Sequence, residues 1–195
     1  MTSLDSCFFT VSGAEAIEAG IKLITRVQPA YKSFFITFQD DYHGKTHGAL
    51  SFTTVENFSE GFHIGISKNN IIVINYNDIQ SYEKVIKEYG SKQIAAIILE
   101  PLQGHDINVP DKGYLKKICQ ISKANNIITI FDEVKCGLGR TGNLFEFFSD
   151  DCVPDIVTTS KALGGGKNAI SAMISKKDLF LKAYGSVTKS TIHTT

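Results

Sequence analysis

Apolar positions follow two rhythms along this 195-residue chain. Short runs without polar alternation predict strands covered on both faces: Phe34-Phe35-Ile36-Thr37-Phe38, Ile71-Ile72-Val73-Ile74, Ile94-Ala95-Ala96-Ile97-Ile98-Leu99, Ile127-Ile128-Thr129-Ile130-Phe131, Ile156-Val157-Thr158 and Ala169 to Ile174. Amphipathic stretches lie between them. From Ala14 to Val27 the residues Ile17, Ile21, Leu23 and Ile24 fall close to helical spacing, and Pro29 follows as a stop. Asp78 to Tyr89, with Asp78 as N-cap, Asp111 to Ala124 and a segment opening at Asp178 predict further helices. Apolar strands alternating with helices imply an α/β fold, a mostly parallel sheet with helices on both faces. No repeat, low-complexity tract or linker interrupts the pattern, so residues 1–195 are expected to form one layered body.

Composition narrows the function classes. A hydrophobic content of 43% is enough for a full core, and twenty basic side chains cancel twenty acidic ones. Nothing here favours nucleic acid or an acidic membrane surface. No apolar run approaches the length that crosses a bilayer, and the first residues carry no basic segment of a signal peptide. Cys7, Cys119, Cys136 and Cys152 are scattered without a CxxC pair, so neither a metal site nor a disulfide framework is signalled. A reducing, cytoplasmic compartment is expected.

The candidate chemistry starts at Lys161, between an apolar strand and the run Gly164-Gly165-Gly166. A lysine crowded at a strand end can lose its proton and attack a carbonyl as a Schiff-base former. Asp132 closes another apolar strand, and a carboxylate on a neighbouring strand would keep a pyridine ring protonated and electron-withdrawing. The pair points to pyridoxal-phosphate (PLP) chemistry. Two other glycine motifs do not survive their context. Gly137-Leu138-Gly139-Arg140-Thr141-Gly142 matches a dinucleotide fingerprint, but it lies five residues beyond its strand and no long helix pattern follows. Gly166-Lys167-Asn168 lacks the hydroxyl residue that ends a P-loop. Ser12-Gly13-Ala14-Glu15 at the first helix start reads either as an anion cradle of free N–H groups or as a capping box between Ser12 and Glu15.

Taken together, the motifs resemble the class III aminotransferases, a branch of the fold-type-I PLP enzymes. The matching stretches are Ser12-Gly13-Ala14-Glu15-Ala16, Tyr42-His43-Gly44-Lys45-Thr46, Ile98-Leu99-Glu100-Pro101-Leu102-Gln103-Gly104, Gly113-Tyr114-Leu115, Phe131-Asp132-Glu133-Val134, Gly139-Arg140-Thr141-Gly142, Pro154-Asp155-Ile156-Val157 and Lys161-Ala162-Leu163-Gly164-Gly165. They run in the family's order over nearly the whole chain. The resemblance implies that Lys161 is the Schiff-base lysine and proton carrier, and that Asp132 pairs with the pyridine nitrogen. It makes Gly13 and Ala14 the backbone cradle of the phosphate, and Tyr42 the ring stacked on the cofactor with His43 beside it. Val134 would lie under the opposite face, and Glu100 would be a carboxylate on the substrate side. Glu133 and Arg140 fit scaffold roles in an ion-pair or turn network.

Departures from the family pattern accompany the matches. Lys135 stands where the family usually has a glutamine on the cofactor's phenolic oxygen, a place a cation can also serve. His105-Asp106-Ile107 replaces the usual acidic residue and small pair after Gln103-Gly104, and Val11 replaces an asparagine. Family members are much longer, which implies a missing N-terminal segment and a missing C-terminal small domain. The chain then reads as an incomplete PLP-binding large domain, inactive alone, and working as a homodimer or with a complementing polypeptide. The ending Ser190-Thr191-Ile192-His193-Thr194-Thr195 resembles the segment leading to the threonine that reaches a partner's phosphate. The expected reaction moves an amino group from a small amine or amino-acid donor to a keto acid or aldehyde. A racemase or decarboxylase of the same fold, or a non-catalytic remnant, remains as an alternative.

Overall fold

The computed structural model describes residues 4–62 and 65–185. Among them a seven-stranded sheet runs β1 (Leu4–Thr10), β7 (Ser171–Lys176), β6 (Ile156–Thr159), β5 (Ile128–Asp132), β4 (Ile94–Leu99), β2 (Phe34–Phe38) and β3 (Ile71–Ile74) across its width. Strands β3, β2, β4, β5 and β6 pair in parallel, and β7 alone is reversed. The mostly parallel α/β architecture is the one the apolar runs predict. Residues 160–170 between β6 and β7 hold one 3-10 turn, Lys161–Gly164, and no crossover α-helix, so β7 returns antiparallel.

Helices cover both faces. One face carries α1 (Gly13–Val27) and α6 (Lys177–Tyr184), whose Ile17, Leu23, Ile24 and Ala183 bury against Ala96, Ile98, Ile130 and Ile156. The short α2 (His47–Leu50) packs on α1 through Ala49, and α3 (Glu56–Ser59) follows it. The other face carries α4 (Ile79–Tyr89) and α5 (Tyr114–Ala124), with Tyr82, Val85, Leu115 and Ile118 packed on Ile97, Leu99, Phe131 and Val157. Successive residues of β4 and β5 therefore serve opposite cores, which is why these strands read as unbroken apolar runs.

Several elements differ from the sequence pattern. Strand β1 was not anticipated: its residues alternate half-buried and exposed, so Leu4–Thr10 shows no apolar run, and it pairs only with β7. Helix α5 starts at Tyr114 rather than Asp111, because Gly113 sits at φ 85° and Asp150 caps the helix by accepting from Gly113 N at 2.7 Å and Leu115 N at 2.9 Å. Strand β7 begins two residues after Ala169. None of the described helices is long and apolar enough to cross a membrane.

Phe131 is fully buried and meets Phe147 edge-on at 6.4 Å. Phe131→Ala is expected to cost about 3–5 kcal/mol of unfolding free energy, read from the denaturation midpoint at constant m-value.

Candidate functional site

The carboxyl ends of β2, β4, β5 and β6 lie together, where the chain leaves a parallel sheet and ligands bind. A cavity of about 770 Å³ opens there. Gly13, Ala14, Tyr42, His43, Glu100, Asp132, Val134, Lys135 and Lys161 all line it. The nine residues singled out in the sequence come from five separate stretches, and the fold brings every one of them to a single cavity.

Asp132 is the last residue of β5 and is 3% exposed. Its Oδ1 accepts from Thr158 Oγ1 at 3.0 Å, on the neighbouring strand β6, and from Val134 N at 3.1 Å. Its Oδ2 meets His43 Nδ1 at 2.8 Å. The other ring nitrogen of His43 meets Asp41 Oδ2 at 3.3 Å. Burial alone would drive the imidazole's pKa down, but hydrogen bonds to Asp132 and Asp41 outweigh it and hold the ring up at about 10. A carboxylate so fixed, with one oxygen less fully engaged, is suited to hold a cationic ring nitrogen.

The opposite wall is backbone. The capping-box reading of the α1 start holds in the structure, and it is compatible with the cradle reading. Ser12 Oγ accepts from Glu15 N at 3.3 Å, and Glu15 Oε2 accepts from Ser12 N at 2.8 Å, completing the capping box. That box leaves the N–H groups of Gly13 and Ala14 without partners among the described residues, on the cavity wall. A Cβ on Gly13 would stand 3.0 Å from both methyls of Val134, so glycine allows the apolar wall and the helix start to touch. Gly44, at φ 122°, meets Ala14 in the same way: an added Cβ would lie 2.6 Å from the Ala14 Cβ. Glu18 of α1 ties this loop down, accepting from Thr46 Oγ1 and Gly48 N, both at 2.7 Å.

Tyr42 is half-buried, and its ring meets Phe58 edge-on at 5.2 Å. Its backbone N donates to Glu100 Oε2 at 2.8 Å, while Glu100 Oε1 accepts from Gly104 N at 3.0 Å. Glu100 thus clamps the loops after β2 and β4, and burial pushes its carboxyl up to about 8. Glu133 has the scaffold place expected of it: Oε1 accepts from Phe147 N at 3.1 Å and Oε2 lies 3.0 Å from Cys136 Sγ. Arg140 lies in the turn that Gly142 N closes on the Gly139 carbonyl at 3.1 Å, and its exposed side chain makes no hydrogen bond or ion pair among the described residues. The glycine run Gly137 to Gly142 is followed only by the 3-10 turn Glu146–Asp150, so no dinucleotide helix exists there.

Lys161 corrects one expectation. It is not crowded into the strand end but sits one residue past Ser160, exposed on the cavity wall, with φ 36°. The strand ends at Thr159, and the left-handed backbone turns the lysine out of the sheet, where it is exposed among the described residues. A non-glycine residue in that region is strained, and such strain gathers at functional sites. Lys135 Nζ donates to the Gly104 carbonyl, so its cation is anchored beside Glu100 rather than loose in solvent. Asp41 and Phe58 escaped the sequence reading. Asp41 precedes the Tyr42-His43 pair, and an acidic residue two positions from a site histidine was the available signal. Phe58 lay in an unpatterned loop. Ser190 to Thr195 lies outside the described residues.

Comparisons with known proteins agree with this geometry. The family model for class-III aminotransferases matches residues 1–191. An acetylornithine aminotransferase of Clostridium acetobutylicum is 40% identical over 185 residues, covering 91% of this chain and 46% of that protein. An ornithine aminotransferase of Bacillus cereus is 37% identical over 175 residues, covering 86% of this chain and 43% of that protein. Among solved structures, an (S)-enantioselective omega-transaminase from Thermomicrobium roseum superposes with a TM-score of 0.88 at 30% identity, over 95% of this chain and 46% of that one. The ornithine aminotransferase of Toxoplasma gondii, described with partial occupancy of PLP at its active site, gives 0.84 at 30% identity, over 92% of this chain and 43% of that one. This chain spans less than half the length of these relatives.

Proposed function

From the premise that this chain belongs to the class III aminotransferases, we propose that it builds the PLP site of a transaminating enzyme. The reaction we infer moves an amino group from an amine or amino-acid donor to a keto acid or aldehyde. One observation carries the reading: the unpartnered Gly13 and Ala14 N–H groups, the Tyr42 ring, the buried Asp132 and the Lys161 amine share one cavity. PLP has an anion, a flat ring, a basic ring nitrogen and an aldehyde, and each finds a matching group here.

PLP, when bound, supplies an aldehyde that takes up amines and a ring that withdraws electrons from the carbon beside the nitrogen. The chain's residues do the rest. Gly13 and Ala14 would hold the phosphate by main-chain donors, since Ala14 has no hydroxyl. Tyr42 and Val134 would bound the ring on either side. Asp132 would keep the ring nitrogen protonated, and Lys161 would supply the amine for the aldehyde and carry a proton at Nζ. Lys135, fixed on the Gly104 carbonyl, offers a cation to the phenolic oxygen. Glu100 positions the Tyr42 loop against the substrate side.

The proposal extends to the setting. Free Cys7, Cys119, Cys136 and Cys152 support a reducing cytoplasm, and relatives named for ornithine and acetylornithine support a small donor with a terminal amine. The described residues form the large, PLP-binding domain of a homodimer or of a complemented enzyme. The deciding experiment supplies the enzyme with PLP, a panel of amines including ornithine, and 2-oxoglutarate or pyruvate. Amino transfer to the keto acid supports the reading. Racemised or decarboxylated donor with the keto acid untouched overturns it in favour of another outcome on the same fold.

A further inference from the structure

We propose that Asp41 is a positioning residue of this cavity: it holds His43 doubly protonated, and through His43 it fixes the carboxylate of Asp132. Its use toward a cofactor rests on the PLP reading above, but the relay itself stands on the chain's own hydrogen bonds.

A neutral imidazole donates from one nitrogen only, and its other lone pair would repel a carboxylate oxygen. Both nitrogens of His43 face such oxygens, Asp132 Oδ2 at 2.8 Å and Asp41 Oδ2 at 3.3 Å. Either the ring is an imidazolium or one acid is protonated. The remaining partners decide between these. Asp132 receives Thr158 Oγ1 and Val134 N, both as donors. Asp41 receives Gln103 Nε2 at 2.8 Å and Phe38 N at 3.3 Å, with Thr37 Oγ1 at 3.5 Å.

The orientation of the Gln103 amide is itself determined. Its Oε1 accepts from Asn108 Nδ2 at 2.7 Å, and its Nε2 donates to the Gln39 carbonyl at 2.7 Å, so it is an N–H that faces Asp41. Gln103 and Asp41 are fully buried, so water does not reach the Asp41 side of the cluster, while His43 and Asp132 border the cavity. Gln103 Nε2 and Phe38 N can only donate to Asp41, and Val134 N can only donate to Asp132, while the Thr37 and Thr158 hydroxyls can take either role. Burial pushes the Asp41 carboxyl up, but the fixed donors at both of its oxygens oppose that and favour the carboxylate. With both acids ionised, the ring donates from both nitrogens.

The result is a buried row of alternating charge, Asp41 negative, His43 positive and Asp132 negative. Its sum of −1 matches one cationic ring nitrogen arriving at Asp132, and the filled cluster becomes neutral, the form that a low-dielectric interior tolerates best. Other titratable groups near the ring are Glu100, which clamps the adjacent loop, and Lys45, Lys135, Lys161 and His105 on the cavity wall. None of them makes a hydrogen bond to His43, so Asp41 is the group whose removal should be felt by the ring.

The test is long-range ¹H–¹⁵N NMR of the full chain, labelled at histidine and free of PLP, from about pH 6 to about pH 11, a range that brackets the His43 value of about 10. The His43 signal is assigned by its loss in His43→Gln. We expect imidazolium shifts at both nitrogens through neutral pH. In Asp41→Asn the titration midpoint should fall by at least about one pH unit, the scale set by a lost neighbouring charge. A neutral His43 at pH 7 in the unaltered chain overturns the proposal without any variant. An Asp41→Asn protein whose midpoint does not move overturns it as well. Because no PLP is present, either failure is distinct from a failure to bind the cofactor, which a borohydride experiment reads separately.

Discussion

Lys161→Ala is expected to abolish covalent capture of PLP by borohydride, while the unaltered chain is labelled once, at Lys161. Three lysines line the cavity, and their surroundings separate them. Lys45 Nζ lies over the Phe58 ring, 4.5 Å from its centroid, and is held there as a cation. Lys135 Nζ is committed to the Gly104 carbonyl. Lys161 alone among these three has an amine without a hydrogen bond, ion pair or ring contact among the described residues, two residues past the strand beside Asp132. A Schiff base needs a neutral, unengaged amine, and anchoring at the other two opposes its formation. The measurement is mass spectrometry of tryptic peptides after reduction, with the melting temperature as a check on folding. Undiminished labelling in Lys161→Ala, mapped to Lys45 or Lys135, would falsify the assignment. Loss of labelling with an intact fold supports it.

The legible parts of this chain were those where local pattern and tertiary environment agree. Strands β2, β3 and β4 match their apolar runs residue for residue; β2 and β4 are covered on both faces as expected, whereas Val73 of the edge strand β3 is exposed. Strand β1 was invisible for the opposite reason: half of Leu4–Thr10 faces outward, and its pairing with β7 is between residues far apart in sequence. The antiparallel return of β7 is a property of the short connection from β6, not of the residues within it. At the site, Asp132 and Lys161 were named from their strand ends, and the sheet places those strands side by side. The exposure of Lys161 was not legible, since it depends on a left-handed turn and on what does not pack above it. Asp41 shows the deeper limit. In sequence it is one acid in a polar turn; only folding places it behind His43, with Gln103 from the loop after β4 fixing it there.

Asp132→Asn carries the second large effect, and it acts on stability and on chemistry by different routes. Asparagine keeps an oxygen for Thr158 Oγ1 and Val134 N, but its amide then turns N–H groups toward the Nδ1–H of His43. Two donors face each other inside the protein, and a buried cation loses one of its two counter-charges. Breaking a buried pair from one side costs about 3–5 kcal/mol, so the denaturation midpoint of the chain should fall visibly even without PLP. The chemical effect follows from the lost charge at the cavity floor. A ring nitrogen facing an amide no longer keeps its proton, and electron withdrawal weakens when the donor's proton is removed. Amino transfer onto bound PLP, followed in single turnover, should slow by about 10²–10³-fold, the scale of one lost electrostatic contact in a dry site. His43→Gln separates the routes: it removes the buried cation but leaves the Asp132 carboxylate, so its transfer rate should exceed that of Asp132→Asn even where the two melt alike. An Asp132→Asn enzyme that transfers at the unaltered rate would remove Asp132 from the reaction and leave it as part of the scaffold under β5.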